Sequence, residues 1–154
     1  MKRIFTLILL LASITSFSQN VNLILLVNGK IITTEIANVY VEFTSNNRRI
    51  NVNYEPGNLV FDNEVWENIN KDSNQKFFLH FDFYTYVKDK QYVANFDIEL
   101  SKYLIERSYL IADIYDFRKK SIKRKYQYLT DKNYLVQFYY RPENGTHGIY
   151  IPER

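Results

Sequence analysis

Histidine beside carboxylate is the residue pairing that general acid–base chemistry uses most often, and this chain holds one such cluster. His80 and Asp82 sit two apart in the run LHFDF, and Asp97 and Glu99 sit two apart in FDIEL. Both runs alternate apolar and polar residues, so each polar pair lies on one side of an extended strand. If the two strands pair with their apolar faces together, opposed residue numbers must sum to an odd value. His80 then faces Asp97 or Glu99, and Phe81 faces Ile98 or a neighbour on the Ala94 side. The arrangement is half of a hydrolytic site, a small hydrolase using His80, Asp82, Asp97 and Glu99. The same four residues also belong on the solvent side of any sheet, where opposed charges stabilise cross-strand pairs. There is no nucleophile motif, no metal-ligand spacing of histidines and no glycine-rich phosphate loop. The surface reading therefore weighs more, and neither a cofactor nor a metal is implied.

A second constellation is electrostatic. Arg118, Lys119, Lys120, Lys123, Arg124 and Lys125 place six cations within eight residues, and Tyr126 and Tyr128 follow. Cations interleaved with aromatic faces can hold a polyanion. The plainer reading is a solvated turn and edge strand, where lysines oppose sheet-to-sheet association, with Asp113 and Asp116 offsetting part of the charge. If Ile122 to Leu129 is a strand, Arg124 turns inward with Ile122 and Tyr126 and the cations divide between two faces. Asn144-Gly145-Thr146 matches a glycosylation acceptor, yet its glycines equally shape a turn before a last strand at Ile149 to Ile151. His147 in that turn has no visible partner.

The elements that position these residues read as strands. Tyrosine (14) and phenylalanine (11) are abundant, with Trp66 the single tryptophan, and such side chains suit a pleated, half-buried surface. Alternation runs through 38–44 and 49–54, joined by Ser45-Asn46-Asn47. It runs further through 76–87 and 91–100, joined by Lys88-Asp89-Lys90. Val21 to Val27 is an apolar run, interrupted at Asn22, that fits a buried strand, and Asn28-Gly29 after it is a strong hairpin signal. Pro56-Gly57 marks a turn before Leu59-Val60-Phe61. Further strands are expected at 108–115, 122–129 and 133–140. Residues 62–75 read as a loop with at most one helical turn around Val65 to Ile69, and 101–107 is ambiguous.

Together these runs predict an all-β domain, an antiparallel two-sheet sandwich of about 7–9 strands. The succession of hairpins resembles the immunoglobulin-like and transthyretin-like modules of bacterial envelope proteins. That resemblance implies a binding or accessory role rather than catalysis. A small outer-membrane barrel would need strands of about 9–11 residues, which only two runs reach.

The first 18 residues differ from the rest. Lys2 and Arg3 precede an apolar run from Ile4 to Ala12, and Ser16-Phe17-Ser18 gives a small-x-small site before Gln19. This is the grammar of a cleavable signal peptide, and nine residues are too few to span a bilayer. Removing residues 1–18 from the 154 leaves 136 in a single domain, 19–154, and lowers the formal charge from +3 to +1. The chain has no cysteine, so disulfides, thiolate metal sites and a lipid-bearing cysteine after the cleavage site are all ruled out. The expected product is periplasmic or extracellular without a lipid anchor, acting on an envelope protein or glycan rather than on nucleic acid.

Overall fold

The computed structural model describes residues 19–45, 47–71, 76–140 and 148–150. The expected leader, the Asn144-Gly145-Thr146 pattern, His147 and Ile151 lie outside them. Strands dominate. They are β1 (Gln19–Val21), β2 (Leu23–Val27), β3 (Lys30–Ile31), β4 (Ile36–Phe43), β5 (Arg48–Asn51), β6 (Asn53–Glu55), β7 (Asn58–Phe61), β8 (Lys76–Val87), β9 (Lys90–Ser101), β10 (Leu110–Asp116), β11 (Tyr134–Tyr140) and β12 (Gly148–Tyr150). Helices α1 (Asn63–Lys71), α2 (Lys102–Ile105) and α3 (Lys120–Tyr126) interrupt them, and a 3-10 turn (Gln127–Leu129) follows α3.

The all-β class holds, but the two-sheet sandwich does not. The strands form three sheets, ordered β1-β7-β6, β12-β11-β10-β2-β3 and β5-β4-β8-β9. Two runs read as single strands are each broken by one residue and change sheet. Asn22 separates β1 from β2, and Val52 separates β5 from β6. Each break hands the chain from one sheet to another, so the strands number more and the sheets are three. The pairing is not wholly antiparallel either. β10 runs parallel to β2, from Leu110 opposite Leu23 to Ile114 opposite Val27. Parallel neighbours need a long crossover, and here everything from β3 to β9 supplies it.

Local turn chemistry behaves as the residues dictate. Asn28 and Gly29 both have positive φ (53° and 77°), which is the geometry of a tight β2–β3 hairpin. Gly57 at φ 90° closes β6–β7 after Pro56. Lys88 and Asp89 take positive φ (49° and 61°) at the tip of β8–β9, the longest hairpin. Its opposed numbers sum to an odd value as alternation requires, with Phe81 facing Phe96 rather than Ile98.

All three sheets and α1 and α2 contribute to one apolar core. Leu25, Phe43, Phe61, Phe77, Ile98 and Phe138 are fully buried within it. Burial along β8–β9 is complete from Phe77 to Phe81 and fades toward the tip, where Tyr86, Tyr92 and Val93 are exposed. The segment read as a loop forms α1 because Val65, Asn68 and Ile69 share a helical face and are buried. Asp62 caps it by accepting a hydrogen bond from the Val65 amide (2.9 Å).

The strand expected over 122–129 is instead α3 and the 3-10 turn. Ile122 and Tyr126 are four apart, a spacing that shares one face in a helix as well as in a strand. The intervening Lys123, Arg124 and Lys125 are good helix formers, and Tyr126 packs on Tyr115 of β10 with ring centroids 4.5 Å apart. Among the described residues no helix is long and apolar enough to cross a membrane.

Candidate functional site

The polar cluster assembles on the outer face of the β5-β4-β8-β9 sheet. His80 stands opposite Asp97, and its Nδ1 lies 2.6 Å from Asp97 Oδ1. The imidazole stacks on Tyr40 of β4 (4.6 Å, 12°). Its Nε2 is 4.0 Å from Glu42 Oε2 and makes no hydrogen bond. The other carboxylates turn to other partners. Asp82 accepts from Asn38 Nδ2 (2.6 Å) and from Asn95 Nδ2 (2.5 Å). Glu99 pairs with Lys76 (2.7 Å), and Glu42 with Arg49 (2.6 Å). Asp82 and Glu99 therefore do not join His80. The carboxylates are satisfied strand to strand, and no hydroxyl hydrogen-bonds the imidazole among the described residues. The His80–Asp97 pair joins β8 to β9 across the strands. No group of His, Asp and Glu among the described residues is placed to hold a metal ion.

The basic run is arranged differently. Asp116, itself buried, accepts from the Arg118 amide (3.0 Å), from Arg118 Nε (2.7 Å) and from Nη2 (2.6 Å). Asp116 thus fixes one cation and is used up by it. Asp113 is buried as well and accepts from the Gly29 amide (3.0 Å), so it serves the β2–β3 turn rather than the run. Lys119, Lys120, Lys123, Arg124 and Lys125 are all exposed, and α3 buries no residue. Arg124 does not turn inward, because the segment is a helix. Lys119, Lys120, Lys123 and Arg124 have no acidic partner among the described residues. Lys125 lies 4.9 Å from the Tyr126 ring, and the hydrogen bond to Tyr126 raises its pKa. Tyr128 is 71% exposed.

Two clefts flank this corner. One, of about 520 Å³, runs between Val93 to Phe96 of β9 and the wall formed by Asp116, Phe117, Arg118 and Lys123, with Asn133 and Tyr134 at its end. The other, of about 380 Å³, lies between the β2–β3 turn and Phe83 to Tyr86 of β8, with Lys119 at its rim. Alternation alone does not point to Tyr134, the residue that closes the larger cleft. Its Oη donates to the Asp97 carbonyl (2.9 Å) and accepts from the Asp97 amide (3.0 Å), tying β11 to the edge of β9. Burial pushes its phenol up to about 12. Tyr54 makes a similar joint. Its Oη accepts from the Leu25 amide (3.1 Å), and burial again raises its pKa.

No family model, curated protein or solved structure matches this chain. The functional reading therefore rests on its own residues.

Proposed function

We propose that this chain is an exported, non-catalytic binding module of the cell envelope, and that it meets an anionic partner through the corner formed by α3. The observation that carries this reading is the contrast between its two charged surfaces. Around His80 every carboxylate has a side-chain partner, whereas four cations of the α3 corner have none among the described residues. Exposed cations held without partners, beside exposed Tyr128 and two clefts, are arranged to attract negative charge at long range. Export rests on the charged, apolar and small-residue order of residues 1–18. An envelope setting favours acidic glycan or lipid headgroup over nucleic acid. The hairpin succession that resembles immunoglobulin-like and transthyretin-like modules supports an accessory role.

The test uses immobilised heparin and immobilised lipopolysaccharide as polyanion probes. The exported protein should be retained at low salt and released as salt rises, because contact frees condensed counterions. Passage through both matrices at low salt would refute the reading.

A further inference from the structure

The larger cleft lies along an open strand edge. β9 is the last strand of its sheet, and which of its backbone groups face outward follows from the ladder. The Asp97 amide and carbonyl both bond to Tyr134 Oη, so they point away from β8. The Tyr84 amide bonds to the Glu35 carbonyl, so even-numbered residues of β8 point toward β4. Their opposites in β9, which include Val93, Asn95 and Asp97, present N–H and C=O to the open edge. Among the described residues Val93 and Asn95 have no partner there. The edge also lacks the usual protection against added strands. It is twelve residues long, and Tyr92 and Val93 are each 47% exposed beside Tyr86 at 69%.

From this geometry we propose that the β9 edge is a strand-addition site, and that its occupant is an extended, acidic segment of a partner protein. The main-chain groups of Val93 and Asn95 would hydrogen-bond the incoming strand, the mode by which many edge strands bind peptides. Tyr134 marks the inner end of the slot, since its hydroxyl already serves the Asp97 backbone as a strand residue would. Side chains on one side of the added strand would face Arg118 and Lys123 across the cleft. Arg118 is held by Asp116, so Lys123 is the cation left to select a carboxylate at those positions. Alternate positions would lie beside Val93 and Asn95 on the outer face, which suits neutral, β-branched residues. The site shares Lys123 with the polyanion reading, which draws also on Lys119, Lys120 and Arg124, and adds the β9 main chain.

The test is an acetylated, amidated heptapeptide alternating threonine and glutamate, titrated into the full exported protein. Hydrogen exchange at the Val93 and Asn95 amides should slow on binding. Val93→Pro removes an outward-facing donor at an edge position where proline is tolerated, and should weaken binding roughly five- to tenfold. Val93→Thr keeps the donor and should bind like the unaltered protein. Lys123→Glu should weaken the glutamate peptide and favour its threonine–lysine counterpart. Glutamate-peptide binding that is equal in Val93→Pro and the parent, or no protection at Val93 and Asn95, would overturn the proposal. Heparin retention that the glutamate peptide does not compete, with no peptide binding, would overturn it while leaving the polyanion reading standing.

Discussion

Replacing Tyr134 with Phe removes one oxygen atom and nothing else from the joint between the five-stranded and four-stranded sheets. The ring remains, edge-on to Phe96 at 5.1 Å, so no cavity opens. What is lost is one hydrogen bond accepted from the Asp97 amide and one donated to its carbonyl. Each such bond contributes a net of about 0.5–1.5 kcal/mol. Asp97 lies at an exposed edge, where water can replace the hydroxyl, which places the loss for Tyr134→Phe in the lower part of the range, about 1–2 kcal/mol. In urea that is a midpoint shift of about 0.5–1 M with an unchanged slope.

The pH dependence gives an independent signature. The folded phenol is raised to about 12 from an ordinary value of 10.0, so the folded state favours the protonated form. Its contribution is intact below pH 10 and is lost as pH rises through 10 toward 12. Other tyrosines and the lysines titrate in the same window, so the difference between the two proteins is the quantity to follow. The gap between them should be constant near neutrality and shrink above pH 10. Equal urea midpoints at pH 7, or a gap unchanged between pH 9 and 11.5, would refute the account of this joint.

Three further outcomes follow from the same structure. Phe81 is 2% exposed and packs on Phe96, so Phe81→Ala should cost about 3–5 kcal/mol; a loss under about 1 kcal/mol in a denaturant melt would mean that the hairpin's faces are misassigned. Asp62→Ala removes the α1 cap and should cost about 0.5–2 kcal/mol, and unchanged stability would remove the cap from the account. Processing between Ser18 and Gln19 should appear in the intact mass of exported protein, with the new glutamine open to cyclisation, and a retained leader would contradict the export reading.

The parts of the fold legible in the sequence are those written in local chemistry. Phe77, Leu79 and Phe81 alternate with Phe78, His80 and Asp82, and that pattern yields the β8–β9 hairpin and narrows the residue opposite His80 to Asp97 or Glu99; the structure gives Asp97. Asn28-Gly29 and Pro56-Gly57 specify their turns because few other residues tolerate the backbone angles there. What stayed hidden depends on distant contacts. Nothing in Val21 to Val27 or Arg49 to Tyr54 signals that the chain changes sheets at Asn22 and Val52, because apolar residues flank each break at the spacing of a single strand. The β2–β10 pairing joins residues more than eighty apart in sequence, which periodicity cannot register. In α3 the apolar residues Ile122 and Tyr126 satisfy both periods, and the packing of Tyr126 on Tyr115 decides between them. Asn68 disguised α1, since a polar residue on the buried face interrupts the apolar pattern. It lies there because its amide bonds to the Glu64 carbonyl (2.8 Å) and its oxygen to Lys71 (3.0 Å). The candidate site divided the same way. Alternation put a carboxylate, Asp97 or Glu99, opposite His80, whereas the unpaired state of the α3 cations depended on Asp113 and Asp116 being occupied elsewhere.

The polyanion affinity of the α3 corner as a function of salt bears most directly on the proposed role. For heparin, the logarithm of the association constant should fall linearly with the logarithm of salt concentration, on the order of one unit of slope per engaged cation. Replacing Lys119, Lys120 and Arg124 together with Gln should reduce that slope by about two to three units. Thermal stability should change little, because these side chains are exposed and have no acidic partners to lose among the described residues. A slope that the triple substitution leaves unchanged would contradict the account.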